Sequence, residues 1–277
     1  MKWLDARRTH APLGPFDDDV VTRSLLSCVF LMVAMMVVLI GPWLIDDRLI
    51  EGVNPWLKPQ KFGVSFIVHF MTLAILAQTL PRQVRDGPTL RIFTYLAVGA
   101  IVSEMAYIIV QAARGRRSHF NFDTQIESLM YAMMGLGALL LVFVAMAIGV
   151  QILRKGQVGP GLRAGAVTGL IFGAITTIVL AGYMSSFTGS RWVGEHPVGG
   201  ATVPFFGWSR EVGDLRPAHF VAMHMMQTMP LFGWSVDKLG MSRGPALLAV
   251  AIALFAQIGL AVFLFMQALA GEPFWPV

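Results

Sequence analysis

Cysteine is almost missing from this 277-residue chain: Cys28 stands alone, inside the first apolar stretch. One thiol cannot make an internal disulfide, a cysteine-based zinc site or a thiolate-ligated cluster, so any metal would fall to His, carboxylate or Met. Charge is scarce as well. Asp, Glu, Lys and Arg make up 13% of residues against 56% hydrophobic, a balance foreign to soluble domains. The apolar residues run in blocks and do not alternate, which excludes a β-barrel. Glycine-rich phosphate cradles, Ser-His-Asp order signatures and His-Glu-x-x-His are absent. No nucleic-acid-binding module is found, and Lys and Arg flanking membrane spans account for the net charge of +5.

What is present is a series of long apolar runs, each able to cross about 30 Å of hydrocarbon at roughly 1.5 Å per residue. Bounding each run by its nearest charges or prolines predicts an all-α, polytopic bundle of seven helices. They fall near residues 25–45, 62–80, 92–113, 126–153, 164–187, 217–236 and 245–270. The chain then divides into an N-terminal segment 1–24, a membrane domain 25–271 with a long loop 188–216, and a tail 272–277. Lys2, Arg7, Arg8 and Arg23 precede the first helix, placing the N-terminus in the cytoplasm and, with an odd count, the C-terminus outside.

Most of the distinctive polar patterns fall in the three odd connections, on the expected outer side. The first reads Asn54-Pro55-Trp56-Leu57-Lys58-Pro59-Gln60-Lys61-Phe62, and the second runs Gln111-Ala112-Ala113-Arg114-Gly115 to Ser118-His119-Phe120-Asn121. The third includes Gly207-Trp208-Ser209-Arg210 and Gly213-Asp214-Leu215-Arg216, followed by His219-Phe220. These stretches resemble a family of bacterial multi-pass membrane proteins to which no activity is attached. The resemblance implies a bacterial inner membrane and nothing about chemistry. The length and aromatic content of the third connection predict an ordered cover over the helix ends.

Ionisable side chains inside spans are costly and usually face a bundle interior or an aqueous cavity. Counting from the outer helix ends puts His69 about 12 Å deep and Glu104 and His224 about 10 Å deep. Polar stripes accompany them: Ser65, His69 and Thr72; Glu104, Tyr107 and Gln111; His224, Gln227 and Thr228. His219 is expected nearer the interface. The sharpest chemistry for such a set is a haem b or a non-haem metal, with His69 and His224 as ligands and Glu104 orienting a ligand or moving a proton. Tyr107 and Gln111 would assist. A rim of Lys58, Lys61, Arg114, Arg117, His119, Arg210 and Arg216 would hold propionates or an anionic substrate.

The primary expectation is therefore a membrane oxidoreductase, with a quinone as a candidate electron partner. A proton-coupled transporter of a small anionic or amphiphilic solute is the alternative, and an assembly or scaffold protein without a small-molecule site is the third. Beyond the lipid bilayer, a homodimer through Gly165, Gly169 and Gly173 is a further candidate contact.

Overall fold

The computed structural model describes residues 16–185, 190–197 and 199–276. Aspartate starts the first helix: the Asp19 carboxylate accepts from the Thr22 amide at 3.0 Å, which satisfies an otherwise orphan donor. The helix therefore begins before residue 25, as α1 (Val20–Val38), and continues after a break at Leu39 as α2 (Ile40–Ile45). Pro42 explains the break, because it has no N–H to give the Val38 carbonyl. There follow α3 (Leu57–Ala77), a short α4 (Arg82–Arg85), α5 (Pro88–Ala113), α6 (Gln125–Lys155) and α7 (Pro160–Tyr183). A two-stranded antiparallel ribbon, β1 (Trp192–Val193) with β2 (Gly213–Asp214), precedes α8 (Arg216–Lys238) and α9 (Arg243–Leu269).

Six segments are long and apolar enough to cross a membrane: α1 with α2, α3, α5, α6, α7 and α9. The sixth expected helix exists as α8, but its polar residues, from Arg216 through His219, His224 and Gln227 to Asp237, keep it outside that set. Two further expectations need correction. α3 starts at Leu57, so Lys58 and Lys61 stand on its first turns and not in the connection. α7 ends at Tyr183, and residues 186–189, where the expectation ran on, lie outside the described residues.

The main core gathers α1, α3, α5 and α6 around Leu25, Phe70, Leu73, Ile101 and Ile148, with α7 adding Ala166 and Leu170. α7 and α8 meet along a seam without side chains between them. A Cβ on Gly165 would lie 2.2 Å from the Met229 carbonyl oxygen, one on Gly169 2.6 Å from that of Met225, and one on Gly233 2.1 Å from that of Gly161. Glycine is what permits this approach. The glycine face once considered for a homodimer is thus spent inside the chain, because Gly165, Gly169 and Gly173 are covered by α8.

The N-terminal end of the bundle is closed by a buried guanidinium. Arg85, 2% exposed, pairs with Asp19 at 3.0 Å and with Asp17, and donates to the Leu80 and Gln78 carbonyls at 3.2 and 3.3 Å. At the same end Asp237 caps α7, accepting from the Gly161 and Leu162 amides at 2.8 Å each.

Candidate functional site

The connections α2–α3, α5–α6 and α7–α8 all gather at the opposite, loop-rich end, where a ladder of alternating charge stitches them together. Arg191 pairs with Glu51, Glu51 lies 3.7 Å from Arg117, Arg117 meets Asp123 at 3.2 Å, and Asp123 meets Arg116 at 3.3 Å. Arg116 then grips Glu127 through two bonds of 2.5 Å, which raises its own proton affinity. Gln111, fully buried, joins the last rung: it donates to Glu127 at 3.0 Å and to the Arg117 carbonyl at 2.8 Å, and accepts from Arg114 at 2.8 Å. It thereby anchors the α5–α6 turn. Tyr107, which shares that stripe, buries a hydroxyl with no hydrogen-bond partner.

The remaining rim cations are mostly consumed in the same way. Arg48 pairs with Asp46 at 2.7 Å and, with the Trp56 indole, holds that carboxyl well below the usual carboxylate range. Arg210 donates to the carbonyls of Trp275 and Pro276 at 3.3 and 2.9 Å, tying the C-terminal tail to the third loop. Arg216 pairs with Asp214 at 2.5 Å and donates to the Gly207 carbonyl at 2.6 Å. The expected propionate-binding rim of Arg114, Arg117, Arg210 and Arg216 is thus engaged within the chain.

Lys58 and Lys61 are the exception. Neither has a carboxylate within ion-pair distance among the described residues. The Lys61 ammonium donates only to the Phe206 carbonyl, at 3.3 Å, and that of Lys58 lies 5.9 Å from the Phe62 ring centre. Both side chains are half-buried, with Arg191 close to each, Arg216 close to Lys61, and the Glu51 and Glu104 carboxylates acting on Lys58 from beyond ion-pair distance. The third loop makes their cover: Phe205 and Gly207 adopt φ of 65° and 69°, which turns Phe206 over to stack on Trp208 at 4.4 Å. Both rings contact Phe220 edge-on at 5.5 Å, and Phe220 lies 4.2 Å from the His224 ring. The expected ordered cover is present, fastened by loop carbonyls to two cations.

Beneath Lys58 lies Glu104, 7% exposed. Its partner is His119, Nε2 to Oε1 3.8 Å, where His69 or His224 was expected. The reason is the turn after α5: Gly115 takes φ 68° and Gln111 holds the Arg117 carbonyl, folding His119 back over the helix end and against the Phe62 ring at 5.2 Å. Burial, with Lys58 and Arg191 nearby, pushes His119 well below the ordinary imidazole range. His119 is therefore a neutral imidazole at pH 7.

The structure does bring His69 and His224 together, but through a third residue. The Gln227 amide lies 3.4 Å from His69 Nδ1 and also faces His224, while His219 stands close to His224. Three polar atoms here lack well-formed hydrogen bonds: His69 Nε2, His219 Nδ1 and Gln227 Oε1. The Gln227 side chain therefore lies within reach of both imidazoles that were expected to ligate a haem. Among the described residues no three of His, Cys, Asp and Glu converge as a metal site.

Arg191 and Glu51 were not singled out from the sequence. Their partners lie far away along the chain, and only the mixture of aromatics and charge in the loops hinted at them. Comparison with family models, curated proteins and solved structures finds no match to this chain.

Proposed function

We propose that this is a seven-span protein of the bacterial inner membrane, with a cytoplasmic N-terminus and α8 as the least apolar span. It binds a small anionic or amphiphilic solute at its outer, loop-rich face and moves it together with protons. One observation carries the reading: Lys58 and Lys61 stand half-buried beside Arg191 and Arg216, and among the described residues no carboxylate lies within ion-pair distance of either, Glu51 and Glu104 acting on Lys58 only from further off. Burying a cation without a partner is expensive, so such a pair favours an anion brought from outside. The Phe206 and Gly207 carbonyls, held by Lys61 and Arg216, mark where the anion's oxygens would bind. Glu104 and His119, directly beneath, supply a proton site whose charge can follow that of the solute.

The test is uptake into proteoliposomes, using a panel of labelled mono- and dicarboxylates and inorganic phosphate under an imposed pH gradient. Uptake of at least one member is expected to fall tenfold or more in Lys58→Ala and Lys61→Ala. In Glu104→Gln, uptake is expected to persist but to lose its dependence on the gradient. Uptake indifferent to both lysines would overturn the proposal. So would a Soret band that sharpens on dithionite reduction of the purified protein, a result that supports the redox reading instead.

A further inference from the structure

A cavity of about 340 Å³ opens at the loop-rich end between the three connections, at the lower end of the roughly 300–1,000 Å³ usual for small-molecule sites. Its charged lining is Arg117, Arg191, Glu51 and Asp123, two of each sign, joined in the ladder described above. Phe120 and Phe122 add aromatic wall, both leaning on Tyr131 at 5.2 and 5.5 Å. Trp192 completes it, with Arg191 4.0 Å above one ring and His196 stacked against the indole at 4.5 Å.

We propose that this cavity is a binding site for a zwitterionic group, a phosphate and an ammonium a short distance apart as in phosphocholine. Charge balance selects the class. An anion alone would have to take Arg117 or Arg191 from Glu51 and Asp123, stranding a carboxylate. A cation alone would strand a guanidinium. A group with both charges offers a partner to each side chain at once, along a part-exposed ladder of two cations and two carboxylates. The Phe120 and Phe122 rings suit an alkylated ammonium, which ring faces attract. Arg191 Nε and Trp192 Nε1 are shut off from solvent and meet no acceptor among the described residues.

Backbone strain points to the same place. Three described non-glycine residues have positive φ, and two of them, Glu51 and Phe120, both at 51°, line this cavity. Such conformations are costly for a residue with a Cβ and persist where the surroundings over-determine them. The inference goes beyond the transport reading and does not need it, since Lys58 and Lys61 take no part.

The full-length protein in maltoside micelles would be titrated with phosphocholine, with phosphate and with choline, by calorimetry and tryptophan fluorescence. Lipid retention from nanodiscs of phosphatidylcholine mixed equally with phosphatidylglycerol would be read in parallel by native mass spectrometry. Phosphocholine is expected to bind at least tenfold more tightly than phosphate or choline, and Phe122→Ala to weaken it severalfold. Trp192→Phe should erase the fluorescence change while the heat remains. Retention of phosphatidylcholine without binding of free phosphocholine would identify the group as a lipid head, and the reverse as a free solute. Phosphate binding as well as phosphocholine, or no preference in either assay, overturns the proposal. Phosphocholine binding without solute uptake, or uptake without phosphocholine binding, keeps failure of this site and failure of the transport reading as separate results.

Discussion

At the N-terminal end of the bundle Arg85 is as buried as any leucine of the core, and every side of it is answered by Asp17, Asp19 or a carbonyl. At the loop-rich end Lys58 and Lys61 are half-buried beside further cations, and among the described residues no carboxylate comes within ion-pair distance of them, Glu51 and Glu104 lying further from Lys58. The same chain solves the burial of charge at one end and leaves it open at the other. Compensation at the first end serves the fold, since a paired buried ion is tolerated and an unpaired one is not. Its absence at the second end has no structural benefit, which is why the lysines, and not the more numerous arginines, direct attention to a ligand.

Removing a charge should therefore have opposite signs at the two ends. Arg85→Ala strands the buried Asp19 and is expected to destabilise by about 3–5 kcal/mol, read as a large drop in the thermal midpoint in detergent. Lys58→Met or Lys61→Met relieves an uncompensated ion, so the midpoint should hold or rise while affinity for the anion falls tenfold or more, about 1.4 kcal/mol. A loss of stability like that of Arg85→Ala would place the lysines in the fold and erase the contrast.

Acid should also act at the loop-rich end, through His119. Its proton affinity is depressed on folding, so the unfolded chain binds the proton more readily. The stabilisation from keeping it neutral is complete above the ordinary imidazole value of about 6.5 and is lost as pH falls below it. Hydrogen exchange of the α5–α6 loop should accelerate below that pH, and His119→Gln should flatten the profile. The smallest effect is expected at Arg210. It is half-buried and among the described residues its side chain bonds to carbonyls of the tail, so Arg210→Gln should shift stability by less than about 0.5 kcal/mol.

The helices were legible in the sequence because an apolar run long enough for a bilayer has few alternatives, and His69 and His224 both come within reach of Gln227. Partners were not legible. Glu51 and Arg191 are separated by 140 positions, and no local pattern announces their pairing. His119 reads as a loop residue until the turn at Gly115 returns it to Glu104. Gln227 was visible on its stripe, but the sequence could not show that its amide would stand between two imidazoles. The glycines of α7 signalled close packing without saying whether the neighbour was α8 or another molecule; burial answered that.

The seam itself has a mechanical consequence. With backbone lying directly on backbone from Gly161 to Gly173, and Asp237 fastening the end of α8 to the start of α7, neither helix can slide or roll without driving a carbonyl into its neighbour. The two must travel as a single lever. The joint on which such a lever would turn is the sparser contact between α8 and α3, where Gln227 touches His69. A distance probe across that joint, and not across the seam, is where motion should register.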